Sequence, residues 1–364
     1  MRAARRPAQK SKATAIILLL TFGYVSSMIN WAFSLILTPI FAMQLSKNIK
    51  GLHFPLLVAA GYSSMCLGQS LCPSASVFAL LATKGHFMED KIGIITQVET
   101  TYNPVNITVW IVLAIATILL TIFTRPPENE IIMYEGDSEG EISVGKEEVG
   151  KLTPADRINN SRLLMIVIGI ASVIYIIYSF ATKGFIPSLN FNFVIFIFLT
   201  LNIFLYNTPE KFVTAIADSI KPATQVMLQF PFYGGIMGMM SGSGLTIVLA
   251  DELVKVASDK TMPFFSYFSA SIINLFIPSQ GGQWIVQGPI LVEAAQKLNA
   301  SMPLVIDAFV YGDEATNLIQ PLYVIPALSL VNMKLKDVWG FMAFIWFMWF
   351  IITSIGLLVL PGIL

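Results

Sequence analysis

Residues 310–321 read VYGDEATNLIQP and interrupt an otherwise apolar stretch, 303–330, near its centre. Two adjacent acids, Asp313 and Glu314, stand in that interruption. An ionised carboxylate in the middle of a hydrocarbon layer costs about 3 kcal/mol on insertion scales, so acids in such places usually handle ions or substrates. If the segment is helical, Asp313, Thr316, Asn317 and Gln320 follow at i, i+3, i+4 and i+7 and share one face. A row of carboxylate, hydroxyl and amide oxygens can hold a proton or a small cation. Asp307, Tyr311 and Glu314 form a second face of the same helix. The alternative is structural: acids at a membrane surface, or a hydrogen-bond network that ties helices together.

A second constellation lies at 277–284, IPSQGGQW, between the apolar flanks FFSYFSASIINLF and IVQGPILVEAA. Pro278 cannot continue a preceding helix, because it lacks an N–H and its ring clashes backward. Gly281 and Gly282 relax the backbone, and Ser279, Gln280 and Gln283 supply donors and acceptors. Non-helical backbone at membrane depth is tolerated only inside protein or beside water. Freed N–H groups at the following helix start can hold a carboxylate. An ordinary extracellular loop is the competing reading, but the flanking arms are short for two full spans.

Other motifs exclude functions. QFPFYGGIMGMMSGSG (229–244) runs into GSGL (242–245), but no strand precedes it and its spacing fits no nucleotide loop. Its Pro231 and glycines predict a broken helix, a hinge or close packing. Cys66 and Cys72 match no zinc or redox spacing, and His53 and His86 are too scattered for a metal site. No nucleophile–base pair suggests an enzyme. No Lys or Arg lies at the centre of an apolar segment, which favours a monocarboxylate over di- or tricarboxylates; a small apolar tail would suit the Phe, Trp and Met lining.

The elements that must position these residues are membrane helices. The chain is 55 % hydrophobic and 12 % charged, about half the charged fraction of soluble domains. Apolar segments near 13–45, 54–82, 104–124, 163–180, 191–206, 224–250, 263–298, 303–330 and 338–360 predict an all-α polytopic integral membrane protein. The formal net charge of +0 gives no basis for nucleic-acid binding. The apolar N-terminal run lacks a cleavage site and reads as a retained membrane segment.

The halves on either side of the charged loop 125–162 look related. SSMINWAF (26–33) matches ASIINLFI (270–277), Pro55 matches Pro303, and Pro73 matches Pro321, at an offset of about 244–248. The expected domains are a first repeat 1–124, the cytoplasmic loop 125–162 and a second repeat 163–364. On this equivalence roughly 80 residues are expected ahead of the first repeat. Most of the Lys and Arg fall on one side if 13–45 and 263–298 are re-entrant hairpins facing opposite surfaces. The repeats are then inverted, with Asn30 and Asn274 in matching places and substrate near the midplane.

QFPFYGGIMGMM, FIPSQGGQWIVQGPI, YGDEATNLIQP and the following IPAL resemble the short-chain fatty acid transporter family, carriers of acetoacetate and butyrate. The resemblance runs from about Ala13 to the C-terminus and is strongest over 225–335. It implies inverted repeats with two opposed re-entrant hairpins and broken helices, and elevator-type alternating access in the cytoplasmic (inner) membrane. The expected substrate-binding residues are Asn30, Trp31, Ser279, Gln280, Gly281, Gly282, Gln283 and Trp284. Those for a coupling Na+ or H+ are Asn274, Asp313, Thr316, Asn317 and Gln320. No other cofactor is expected. Expected partners are a small carboxylate, the bilayer and a second copy in a homodimer. The chain departs from the family at Gln280, where glycine is usual, and at GQSLCPSASVF (68–78), which holds fewer glycines. A carrier for another organic anion, or a shortened non-transporting form, stays open at this point.

Overall fold

The computed structural model describes residues 12–134, 154–320 and 323–363. Residues 135–153 of the charged loop, Pro321 and the side chain of Met237 lie outside the described residues. Among the described residues the regular elements are helical. The main ones are α1 (Lys12–Ile29), α2 (Trp31–Asn48), α3 (Phe54–Gln69), α4 (Ser76–Leu81), α5 (Pro104–Phe123), α6 (Arg162–Lys183) and α7 (Phe191–Tyr206). They continue with α8 (Pro209–Gly242), α9 (Leu245–Val256), α10 (Met262–Asn274), α11 (Gln280–Leu298), α12 (Met302–Asn317), α13 (Ile325–Ser329) and α14 (Leu335–Val359). Helices α1, α5 and α6, and the stretch Leu335–Gly362, are long and apolar enough to cross a membrane. The chain packs as two units, residues 1–135 with 233–364, and residues 136–232. This division follows contacts and differs from the repeat boundaries drawn from sequence.

In the larger unit two helical hairpins are each followed by a broken helix. The first hairpin turns at one extended residue: Asn30 (φ −163, ψ 129) accepts hydrogen bonds from the Ala32 and Phe33 amides and caps α2. The second turns over Leu275–Ser279, and α11 starts at Gln280. Gly281 and Gly282 therefore lie in the first helical turn rather than in the bend. Pro278 stands in the irregular stretch, as its missing N–H requires. After the hairpins, α3 and α12 end at Gln69 and Asn317, and short α4 and α13 resume beyond the breaks.

Small residues let each hairpin lie close against its broken helix. A Cβ on Gly68 would stand 2.4 Å from Ser27 Cβ; one on Gly312 would stand 2.4 Å from the Tyr267 carbonyl oxygen and 3.0 Å from the Ser271 amide. Membrane helices gain little from apolar burial against one another, so such close approaches carry much of their packing. The two contacts stand about 244 residues apart, the offset of the Ile-Asn pairs.

The helix expected to break within 229–244 does so, at the last glycine of the segment and not at Pro231. Helix α8 continues through Pro231 to Gly242, and the bend comes at Ser243–Gly244, where Gly244 has φ +77. There the chain turns by 75° into α9. The glycine supplies the left-handed backbone that the bend needs, whereas Pro231 is accommodated within the helix.

Polar contacts gather at both ends of the larger unit. At one end Lys91 and Glu293 lie 3.6 Å apart, and Lys297 meets Asp251 at 2.8 Å. At the other, residues 125–134 strap across the start of α3. The Phe54 amide donates to the Ile132 carbonyl (2.8 Å), the Ile132 amide to His53 Nδ1 (3.1 Å) and the Tyr134 amide to Ser46 Oγ (3.2 Å). The Lys47 ammonium sits 4.8 Å from the Tyr134 ring centroid.

Burial lowers the His53 pKa from its ordinary value, and Glu130 opposes this by attraction. The bond from Ile132 needs an unprotonated Nδ1. The docked strap therefore favours the neutral ring, and its stability is complete above the free imidazole pKa of about 6.5. It declines as pH falls below that value toward the depressed one. The hydrogen-exchange protection factor of the Ile132 amide should fall over that range, whereas a His53→Gln protein should show no such step.

The smaller unit contains α6 and α7. Gly169 faces the Phe204 ring, and the Tyr175–Phe196 and Phe180–Phe193 rings pair edge-on at 5.4 and 5.3 Å. The Asn190 side chain caps α7 by accepting from the Phe193 amide. Leu163, Val167, Ile174 and Ile177 on α6 are exposed, as a lipid-facing helix requires.

Candidate functional site

Every residue of α12 from Leu304 to Asn317 is buried, including Asp313 and Glu314, each 1 % exposed. Glu314 is the centre of the polar cluster. Its Oε2 accepts from Gln69 Nε2 at the end of α3 (3.1 Å), and its Oε1 accepts from Gln280 Nε2 at the start of α11 (3.1 Å). Asn317 Nδ2 approaches Oε2 from one turn along α12 (3.4 Å). Gln280 uses the other end of its amide as well: Oε1 accepts from the Val77 amide in the first turn of α4 (3.2 Å). One side chain thus joins the tip of the second hairpin to both broken helices.

A second set surrounds Asn274 at the end of α10. Its Nδ2 lies 2.7 Å from the Asp313 carbonyl oxygen, 2.9 Å from Thr316 Oγ1 and 2.9 Å from Asn317 Oδ1. Gln320 Nε2 reaches the same Asn317 oxygen at 3.5 Å, and Tyr62 donates to the Asn317 carbonyl at 2.9 Å. Among the described residues two buried acceptors, Asp313 Oδ1 and Asn274 Oδ1, have no hydrogen-bond partner. Buried oxygens are nearly always paired, so these two suit a proton or a cation.

The structure brings together Asn274, Gln280, Asp313, Thr316, Asn317 and Gln320. Trp31 reaches the far side of the break in α12, where its ring centroid lies 5.9 Å from that of Tyr323; Asn30 beside it is half-buried and caps α2. Ser279 caps α11 by accepting from the Gly282 amide. Gln283 faces α10 across the hairpin, and Trp284 faces α12. Gln283 donates to the Ala270 carbonyl and to Gln287, and the fully buried Trp284 packs edge-on against Phe309 at 4.9 Å.

Three contributors stood outside the expected set. By helical period Glu314 lies on the other face of α12, and Gln69 and Tyr62 lie inside an apolar run. The detectable signal was Gln69 itself, an amide in a stretch otherwise suited to hydrocarbon. Among the described residues no group of three or more His, Cys, Asp or Glu could hold a metal ion.

Broken helices that meet a hairpin tip around buried acids are the architecture of a membrane transporter. The family model described as "Short chain fatty acid transporter" matches residues 3–360, and the chain belongs to that family. It is 30 % identical over 336 residues to "Putative short-chain fatty acid transporter" of Escherichia coli (strain K12), covering 92 % of this chain and 76 % of the relative. It is 31 % identical over 341 residues to the protein of the same name from Haemophilus influenzae, covering 91 % and 75 %. Among solved structures it resembles the Alcanivorax borkumensis YdaH transporter, with a TM-score of 0.58 and 14 % identity over 96 % of this chain and 85 % of the other. That likeness concerns the fold alone.

Proposed function

We propose that the chain carries short-chain monocarboxylates such as butyrate or acetoacetate across the cytoplasmic membrane, coupled to a cation. The observation that carries this reading is Glu314, buried and bonded at once to the end of α3 and to the hairpin tip at Gln280. Substrate docks at the tips, near Ser279–Gly282 and Asn30–Trp31. The coupling ion, Na+ or H+, sits among Asn274, Asp313, Thr316, Asn317 and Gln320, where Asp313 Oδ1 and Asn274 Oδ1 have no other partner.

The matched Gly68–Ser27 and Gly312–Ser271 approaches support two inverted repeats, each a re-entrant hairpin followed by a broken helix. In this reading the hairpins and broken helices move together as an elevator. The absence of Lys and Arg from the described contacts of Glu314 and Asp313 favours one carboxylate over two or three.

The test is uptake of labelled butyrate into proteoliposomes, measured above protein-free liposomes because the free acid permeates lipid. Saturable uptake that unlabelled acetoacetate inhibits and citrate does not is the expected result. Uptake no greater than in protein-free vesicles, or preferential inhibition by citrate or an amino acid, would remove this reading.

A further inference from the structure

Asp307 lies in the first half of α12 and is 2 % exposed, and among the described residues neither of its carboxyl oxygens has a hydrogen-bond partner. Among the described residues it has no ion-pair partner either. Buried acids that serve only structure are paired or hydrogen-bonded. A buried acid with neither is neutral and carries its proton.

Its position gives that proton a route. Asp307, Tyr311 and Glu314 fall at i, i+4 and i+7 along α12, so the two acids stand about 10 Å apart with Tyr311 between them. The Tyr311 hydroxyl donates to the Asn106 carbonyl at 3.1 Å. Ser70 Oγ lies beside that hydroxyl without reaching hydrogen-bond geometry, and Asn106 Oδ1 is also unpartnered. Gln69, the neighbour of Ser70, bonds Glu314. Unpaired buried polar atoms of this kind accommodate ordered water. In the other direction Asp307 is about 8 Å from the start of α12, at the end of the molecule that holds Lys91, Glu293 and Lys297.

We propose that Asp307 is a second proton-holding site of the carrier, lying between the Glu314 centre and the end of the molecule marked by Lys91 and Glu293. This rests on the cation-coupled carrier reading above and assigns the proton as a coupling ion. In each cycle the carboxyl O–H bond breaks and the proton passes to water in the column beside Tyr311, leaving a carboxylate. A proton from the aqueous phase at that end then restores the O–H bond. The titratable groups on the elements packed around α12 are Tyr62 and Cys66 on α3, Tyr267 on α10, Glu293 and Lys297 on α11, and Lys336 and Asp337 on α14. None of them is bonded to Asp307.

The experiment uses the full chain in proteoliposomes with labelled butyrate and two assays, each corrected for protein-free vesicles. Counterflow at equal pH needs substrate exchange alone. Accumulation driven by an imposed pH gradient needs net proton movement as well. Asp307→Asn should keep counterflow within about two-fold of the unmodified protein and lose about ten-fold or more of gradient-driven accumulation, as expected for an intramembrane relay acid. Asp307→Glu should restore accumulation with a displaced pH profile.

Accumulation by Asp307→Asn equal to the unmodified protein would overturn the proposal. So would loss of counterflow and accumulation together in both variants, which marks a structural residue. Absence of both activities in the unmodified protein would instead remove the carrier reading on which it rests.

Discussion

Glu314→Gln should abolish butyrate uptake while leaving a folded, monodisperse protein in detergent. The carboxylate accepts from amide donors on both oxygens, Gln69 on one and Gln280 on the other. A glutamine at 314 keeps one acceptor oxygen and replaces the other with an NH2 group that faces a donor. Gln280 cannot simply turn its amide over, because its oxygen is held by the Val77 amide. Two buried hydrogen bonds weaken or vanish, and a buried polar group left unpaired costs about 1–3 kcal/mol. If half of that bears on the substrate-bound state, uptake falls roughly 10- to 100-fold. The double variant Gln69→Glu with Glu314→Gln exchanges donor and acceptor across the same contact and should recover part of the activity. Unchanged uptake by Glu314→Gln would show that substrate and ion pass without using this centre.

The largest stability effect is expected at Gly312. It faces α10 so closely that one added carbon would meet the Tyr267 carbonyl at 2.4 Å, Ala270 Cβ at 2.8 Å and the Ser271 amide at 3.0 Å. Two of these are backbone atoms that no side-chain rotation relieves. Separating α10 from α12 would also draw Asn274 away from Asp313, Thr316 and Asn317. Overpacking within a close-packed interior costs up to about 3 kcal/mol, and lost buried hydrogen bonds add roughly 1 kcal/mol or more each. Gly312→Val should therefore yield aggregated protein on size-exclusion chromatography, and Gly312→Ala a folded protein with a clearly lowered thermal midpoint. A Val variant as stable as the parent would mean that the two helices do not touch as described.

Long-range architecture was readable in the sequence because its signals are long. Apolar runs of membrane length predicted the helices, and interruptions such as Asn30 and IPSQ located the hairpin turns. The Asp313–Gln320 row was legible because helical period alone puts those residues together. What joined that row to the hairpin was not, since Gln69 and Gln280 meet Glu314 only after three separated segments fold. Trp284 shows the converse. Its place beside a tip motif suggested a substrate contact, and side-chain direction on α11 sets it against Phe309 of α12. Pro231 looked like a breaker by its type, but the bend falls at Gly244, where backbone freedom rather than a missing donor decides.

Gln280 uses both ends of its amide, and this bears on how such a chain can change over generations. An ancestor with glycine there would lack the bond to Val77 and one of the bonds to Glu314. Once the amide is in place, returning to glycine strands two buried polar groups at once, and replacing Glu314 strands the amide. Positions 69, 280 and 314 are therefore free to drift only as a set, with the order of substitution constrained by which partner can tolerate a vacancy first.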